Sequence, residues 1–225
     1  MKTAILGTGH VGRTIAARLA ELGHTVTIGT RDPEATLART GTDTTGTAPF
    51  AAWAAENAGI TLASFRDAAA GAELIVNATN GAASLDVLAQ AAAENLDGKV
   101  ILDIANPLDF SHGMPPTLFV KDTDSLGEQI QRAFPAARVV KSLNTLNADL
   151  MAHPASLPDG GTVFVSGNDA DAKHTVTQLL KEFGHQDVID LGDITTAHGT
   201  EMLLPVWLRL WGALGTPAFN FKIVR

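Results

Sequence analysis

The 225-residue chain contains no cysteine and no tyrosine. Without cysteine there is no disulfide, no thiolate nucleophile and no cysteine metal site. Without tyrosine there is no phenol to protonate a carbonyl, which excludes reductases built around one. Basic residues are in deficit: 16 Lys and Arg stand against 24 Asp and Glu, a formal net charge of −8. No basic run appears, so nucleic acid is not expected as a partner, because tracking phosphates requires a basic face. None of the 7 histidines has a metal-ligand spacing such as HExxH, and no metal site is expected. Long apolar runs are missing as well. The first apolar stretch turns at once into glycines, too early for a signal peptide. The most apolar late segment, 202–219, is interrupted by Pro205, Arg209 and Pro217. No membrane span is expected, and the cytoplasm is the default location.

What is present is alternation. Residues 2–6 read as a short buried strand, followed by a glycine loop. The spacing of Val11, Ile15, Leu19 and Leu22 predicts a helix over 10–22, which Gly23 ends before a strand at 24–29. Residues 40–49, rich in Thr and Gly, read as a loop. Helices are then expected at 50–58, 65–70, 84–95, 125–133 and 171–183. Strands are expected at 60–63, 73–78, 99–105, 138–143, 162–166 and 187–191, with a proline-rich loop at 106–116. One long C-terminal helix, 195–214, is expected despite Pro205. Strands alternating with helices predict an α/β fold: a doubly wound, mostly parallel sheet of Rossmann type with a C-terminal helix. No long linker divides the chain. The expectation is one domain over 1–225, with core βαβ units in 1–143 and an extension of the same sheet and helices in 144–225.

Gly7-Thr8-Gly9-His10-Val11-Gly12 has the GxGxxG spacing, and it follows a strand and opens a helix. Gly7 suits the tight turn, Gly9 lets backbone amides approach a pyrophosphate, and Gly12 lets the helix pack close to the strand. Unpaired N–H groups and the helix dipole supply the anion site. The second strand ends in Gly29-Thr30-Arg31, where an NAD site usually carries Asp or Glu for the ribose hydroxyl. A hydroxyl and a guanidinium suit the 2′-phosphate of NADP instead, a contact worth about 1.5–3 kcal/mol. Asp32 is either a helix N-cap before Pro33 or a partner of Arg31 that weakens the phosphate site.

Ligands in doubly wound sheets lie beyond the carboxyl ends of the strands. Asn77-Ala78-Thr79-Asn80-Gly81 follows the fourth strand and Ala105-Asn106-Pro107 the fifth. Small residues there leave room for ribose and nicotinamide, and amides can bond the carboxamide; equally, Asn and Gly serve turns for their own reasons. Lys141-Ser142-Leu143-Asn144-Thr145 leaves the sixth strand with polar side chains. Lys141 is either a solvated strand-edge charge or a contact for an anionic substrate. His10 reads as a helix-start residue near phosphate. No nucleophile, triad or metal cluster stands out, so no catalytic residue is assigned, which suits direct hydride transfer by a bound cofactor.

These residues resemble a known family, the NADP oxidoreductases dependent on the deazaflavin coenzyme F420. The resemblance rests on Ile5-Leu6-Gly7-Thr8-Gly9, Ile28-Gly29-Thr30-Arg31 and the stretch from Arg138 through Thr145. It also rests on Val163-Phe164-Val165-Ser166-Gly167-Asn168-Asp169 and the ending from Gly215 to Arg225. It implies hydride exchange between NADPH and the deazaflavin ring, with the two rings stacked in one cleft. It implies that Thr8, Gly9, His10 and Val11 hold the pyrophosphate and that Thr30 and Arg31 hold the 2′-phosphate. The deazaflavin would lie near Ser142, Leu143, Asn144 and Thr145 and the C-terminal segment. Its anionic tail would need a local basic patch, for which Lys121, Lys141, Arg209 and Lys222 are the candidates. Archaeal members carry Ile-Pro-Trp where this chain has Asn77–Gly81, and a histidine at Asn144. Members commonly dimerise, and the C-terminal helix with Trp207 and Trp211 offers a homodimer face, although simple core packing also accounts for the tryptophans. Two other readings keep the nucleotide site: a reductase of a free flavin, quinone, imine or ferric chelate, and a non-catalytic NADP(H)-sensing module. Hydroxyacid dehydrogenases are disfavoured, because too few residues remain for their helical substrate domain.

Overall fold

The computed structural model describes residues 1–42 and 46–225. The chain opens as β1 (Lys2–Leu6), α1 (His10–Glu21), β2 (Thr25–Thr30), α2 (Pro33–Ala38), α3 (Phe50–Glu56), β3 (Thr61–Ser64), α4 (Phe65–Ala70) and β4 (Leu74–Asn77). It continues as α5 (Ser84–Ala91), α6 (Ala93–Leu96), β5 (Val100–Asp103), a hairpin of β6 (Leu108–Asp109) and β7 (Thr117–Leu118), α7 (Leu126–Ala133) and β8 (Arg138–Ser142). It closes as α8 (Ala148–Ala152), β9 (Thr162–Gly167), α9 (Ala170–Phe183), β10 (Asp187–Gly192), α10 (Ala197–Glu201) and α11 (Leu204–Leu214). Part of the loop expected at 40–49, namely 43–45, lies outside the described residues.

The main sheet has 8 strands in the order β10-β9-β8-β5-β4-β1-β2-β3. Its pairs are parallel except β8 with β9, so β9 and β10 run against the rest. The chain leaves β1 in opposite directions, to β2 on one side and β4 on the other, which makes the β1/β4 border the topological switch point. Two apolar clusters cover the two faces. Ile5, Val76, Leu102 and Val140 meet α1, α8 and α9 on one face. Ala4, Leu6, Ile75, Ile101 and Val139 meet α4, α5, α7 and α10 on the other.

Local chemistry explains five of the helix starts. The side chains of Asp32, Ser64, Ser125, Asn147 and Asp169 each accept a backbone N–H in the first turn of α2, α4, α7, α8 and α9. Asp32 is therefore a cap, and it makes no ion pair with Arg31 among the described residues. Two expected helices are corrected. The helix expected at 84–95 breaks at Ala92, whose φ is 72°, into α5 and α6. The C-terminal helix expected at 195–214 is a 3₁₀ turn at 194–196 followed by α10 and α11, with Pro205 in the first turn of α11, where its missing N–H costs nothing. The hairpin β6–β7 and helices α2 and α8 were not expected from hydrophobic periodicity, because each is too short to show one. Among the described residues no helix is long and apolar enough to cross a membrane.

Candidate functional site

The glycine loop sits at the switch point and is held there by close backbone contacts. Gly7 has φ 126°, and a Cβ on it would lie 2.6 Å from the Ala78 carbonyl at the end of β4. A Cβ on Gly12 would collide with the Gly7 carbonyl, so α1 can lie against β1 only with glycine there. Gly9 is different: a Cβ there would meet nothing within 4 Å. Gly9 caps α1 without a capping side chain, and the first turn carries no acidic residue. That leaves a 12-residue helix presenting free amides and the positive end of its dipole to open space, a cradle suited to a pyrophosphate. Arg13 locks the loop from behind. Its Nε donates to the Thr8 carbonyl at 2.7 Å, one terminal nitrogen to Ala48 at 2.6 Å, and the guanidinium lies 5.2 Å from the Phe50 ring centre.

A cleft opens on each side of this loop. The first, about 500 Å³, is lined by Thr8, Gly9, Arg13, Thr36, Arg39, Thr40 and the segment from Thr47 to Phe50. Thr30 does not line it but is buried behind Thr36, which does, with the two hydroxyls 2.8 Å apart. The Arg31 guanidinium is exposed and makes no hydrogen bond or ion pair among the described residues. Arg39, exposed in the cleft wall, is a second cation that the motif reading missed. The signal was present in the sequence: an arginine one short helix beyond Arg31.

The second cleft, about 320 Å³, brings His10 and Val11 together with Ala78–Gly81, Ile104–Asn106, Leu108, Phe110, Leu146–Ala148 and Met151. His10 stands at its mouth, 3.9 Å from Asp149, both exposed. Asn77 is fully buried beneath it and bonded to Ser84 and Asp103 at 3.0 and 2.8 Å. Thr79 donates to the Asn77 side chain at 2.7 Å. Asn106 crosses over Gly81 so closely that a Cβ at 81 would collide with the Asn106 carbonyl. Pro107 leads from there into β6, its carbonyl accepting from Phe119 N–H at 2.9 Å.

The segment after β8 enters this cleft one step later than its polar residues suggest. Ser142, Leu143, Asn144 and Thr145 are all buried, whereas Leu146, Asn147 and Ala148 line the cleft. Ser142 donates to the Phe164 carbonyl at 2.6 Å. Leu143 adopts φ 60°, a left-handed turn that costs a non-glycine residue roughly 1–2 kcal/mol. That turn swings Asn144 under Asn106 and delivers Leu146 to the cleft wall. Asn147 was legible as a cap before an apolar stretch; its role in the cleft was not.

The four candidate cations do not converge. Lys121 and Arg209 line one groove of about 260 Å³ between Pro115–Leu118 and α11. Lys222 lies 3.9 Å from Asp187 at the far edge of the sheet. Lys141 is neither a solvated charge nor open to a substrate: it is fully buried against Asp103 and Glu201, at 2.8 and 2.7 Å. Among the described residues no group of three or more His, Asp or Glu is placed to hold a metal ion.

Fold and site together define a dinucleotide-binding oxidoreductase of the doubly wound α/β class. The sequence matches the family described as NADP oxidoreductase, coenzyme F420-dependent, over residues 2–107. It is 66% identical to a protein of known crystal structure from Arthrobacter sp. FB24, provisionally assigned as an F420-dependent NADP reductase, with TM-score 0.96 and 100% of both chains covered. The chain belongs to the coenzyme F420-dependent NADP oxidoreductase family. Two curated relatives are more distant. Metalloreductase STEAP3 of Rattus norvegicus is 28% identical over 92% of this chain, which spans 38% of that protein. The F420-dependent NADP reductase of Methanocaldococcus jannaschii is 29% identical over 52% of each. A reductive aminase from Aspergillus terreus, solved with NADPH and ethyl-5-oxohexanoate, shares the fold alone, at 20% identity and TM-score 0.63 over 95% of this chain and 62% of its own.

Proposed function

We propose that this chain transfers hydride between NADP(H) and the deazaflavin coenzyme F420. The observation that carries the reading is the pair of clefts meeting at the uncapped start of α1. A dinucleotide laid across the loop puts its pyrophosphate on the amides of Thr8, Gly9, His10 and Val11. Its adenosine end falls in the first cleft, with the 2′-phosphate between Thr30, Arg31 and Arg39. Its nicotinamide falls in the second, against Ala78, Thr79, Ala105 and Asn106. NADPH supplies hydride, leaving as NADP⁺, and the deazaflavin takes that hydride together with one proton. The side chains of this chain orient the two rings and exclude water between them. Leu108, Phe110, Leu146 and Met151 give the second cleft apolar walls suited to a planar acceptor ring. Asn144 reaches that pocket through Asn106. Lys121 and Arg209, in the groove beyond the β6–β7 hairpin, are the cations available to an anionic tail.

We also read the chain as a homodimer through α11, where Val206 and Leu214 are 51% and 56% exposed on one helix face. Trp207 belongs to the core and stacks on Phe219 at 5.3 Å, while Trp211 remains exposed.

Similarity to a metalloreductase, STEAP3, along nearly the whole chain supports a second reading, an NADPH-dependent reductase of another acceptor such as a ferric chelate. One experiment separates the two. NADPH is mixed with oxidised coenzyme F420 and the protein, and the deazaflavin absorbance is followed. Bleaching that NADPH drives and NADH does not is the expected result. No bleaching by a protein shown to bind NADPH would reject F420 as the acceptor and favour the second reading.

A further inference from the structure

Three charged side chains lie wholly inside the protein at the carboxyl edge of the sheet. Those of Asp103 on β5, Lys141 on β8 and Glu201 at the end of α10 are 0%, 0% and 1% exposed. Asn77, Asp103 and Lys141 are register partners across β4, β5 and β8, so all three side chains leave the same face of the sheet. Each proton of the Lys141 ammonium has its own acceptor: Asp103 Oδ2 at 2.8 Å, Glu201 Oε1 at 2.7 Å and the Ala105 carbonyl at 2.6 Å. Asp103 Oδ1 accepts from Asn77 Nδ2 at 2.8 Å and from Ala105 N–H at 3.2 Å. Glu201 accepts the Leu126 and Gly127 N–H groups, at 2.8 and 3.1 Å, at the start of α7. Two carboxylates and one ammonium leave a single excess negative charge, which these amide donors and the α7 dipole offset. Burial pulls the lysine pKa down, but the two carboxylates outweigh it and hold the group above its ordinary value.

A buried ion cluster is weak evidence for stability, since well-packed apolar residues often do as well. This one is connected at both ends to the second cleft. The Ala105 carbonyl belongs to the β5 end of that cleft. Asp103 holds Asn77, which in turn accepts from Thr79 at the β4 end, at 2.7 Å. Both strand ends that border the proposed nicotinamide position therefore hang from one ammonium, which Glu201 ties to the C-terminal helices.

We propose that Lys141 is a positioning residue for hydride transfer, setting the spacing of Thr79 and Ala105 around the nicotinamide from an anchor in α10. The proposal rests on the cofactor reading given above. Lys141 touches no ligand; it acts through the Ala105 carbonyl and the Asp103–Asn77–Thr79 chain.

The test compares two ligands. Adenosine 2′,5′-bisphosphate carries the adenosine and 2′-phosphate but no nicotinamide, whereas NADPH carries both ends. Dissociation constants are measured by calorimetry for the wild type, Lys141→Met and Glu201→Gln, with folding checked by circular dichroism. Losing a buried charge-assisted bond should weaken NADPH about tenfold in Lys141→Met and leave the bisphosphate unchanged. Glu201→Gln keeps a carbonyl acceptor for Lys141 and should show a smaller loss in the same direction, which keeps the test open if Lys141→Met does not fold. Equal weakening of both ligands in a folded variant would mean that the cluster only supports the fold, and would overturn the proposal. Unchanged NADPH binding in both variants would overturn it as well. A wild type that binds neither nucleotide would overturn the cofactor reading itself, and the proposal with it.

Discussion

Asn106 and Asn144 hold each other by two hydrogen bonds. Asn106 Nδ2 donates to the Asn144 carbonyl at 2.8 Å, and Asn144 Nδ2 donates to Asn106 Oδ1 at 3.0 Å and to the Thr200 carbonyl at 3.1 Å. The loop after β5, the turn after β8 and helix α10 thus meet at one amide. Asn144→Ala removes that amide and leaves the Thr200 carbonyl buried and unpaired, at a cost of about 1–3 kcal/mol. The melting temperature should fall by roughly 2–4 °C for each kcal/mol lost. Turnover with the proposed acceptor should drop while the Michaelis constant for NADPH changes little. Calorimetry and steady-state kinetics on one preparation measure both, and an unchanged melting temperature would contradict the bonding described.

Arg31→Ala and Arg39→Ala should each raise the Michaelis constant for NADPH about tenfold, the worth of a charged hydrogen bond partly screened by water. Neither should alter the constant for NADH, which lacks the 2′-phosphate. Equal losses with both nucleotides would remove these arginines from the phosphate site.

Gly81→Ala tests the crossing of Asn106 over the β4 end. Because the colliding atom is a backbone carbonyl, the neighbour cannot rotate away. Overpacking of this kind costs about 1–3 kcal/mol. The urea midpoint should fall and NADPH binding should weaken; an unshifted midpoint would mean that the two segments are not this close.

His185 is buried, its Nε2 2.9 Å from the Met151 carbonyl. Burial holds its pKa below the ordinary 6.5, and the hydrogen bond to Met151 only partly opposes this. Unfolded chains therefore bind this proton first as the pH falls. The stability is present in full above pH 6.5 and is lost progressively below it, with a limiting slope of about 1.4 kcal/mol per pH unit. Denaturation midpoints of the wild type and His185→Gln, followed from pH 8 downward, should approach one another below about pH 6.5. A constant difference across that range would show that the folded state binds this proton as readily as the unfolded chain does.

Val206→Glu combined with Leu214→Glu places two charges on the exposed stripe of α11 without touching the core. Sedimentation should report a dimer for the wild type and a monomer for the double variant. A wild type that sediments as a monomer at micromolar concentration would end the homodimer reading.

Much of this protein is written locally. A strand, GxGxxG and an amphipathic helix within one βαβ unit specify the loop, because a turn, a close backbone approach and a helix start each demand particular residues in sequence order. The caps at Ser125 and Asp169 and the left-handed stop at Gly184 are likewise local, so the elements they bound fall close to their expected ends. The expectation of a phosphate beside Gly29-Thr30-Arg31 rests on the same kind of local pattern.

Tertiary structure alone decided the rest. The reversal of β9 and β10 depends on which strand edge is left to pair, and no local pattern records it. Lys141 read as an exposed or substrate-facing charge because its two neutralising carboxylates lie 38 residues before it and 60 residues after it. Leu146, Asn147 and Ala148, not the more polar residues before them, reach the cleft because Leu143 turns left-handed, a conformation that its side chain disfavours and only the surrounding packing imposes. Sequence determined where the glycine loop opens α1 without a capping side chain, since that needs only local residues. Folding determined which residues line the second cleft, since those come from strand ends that meet only in three dimensions.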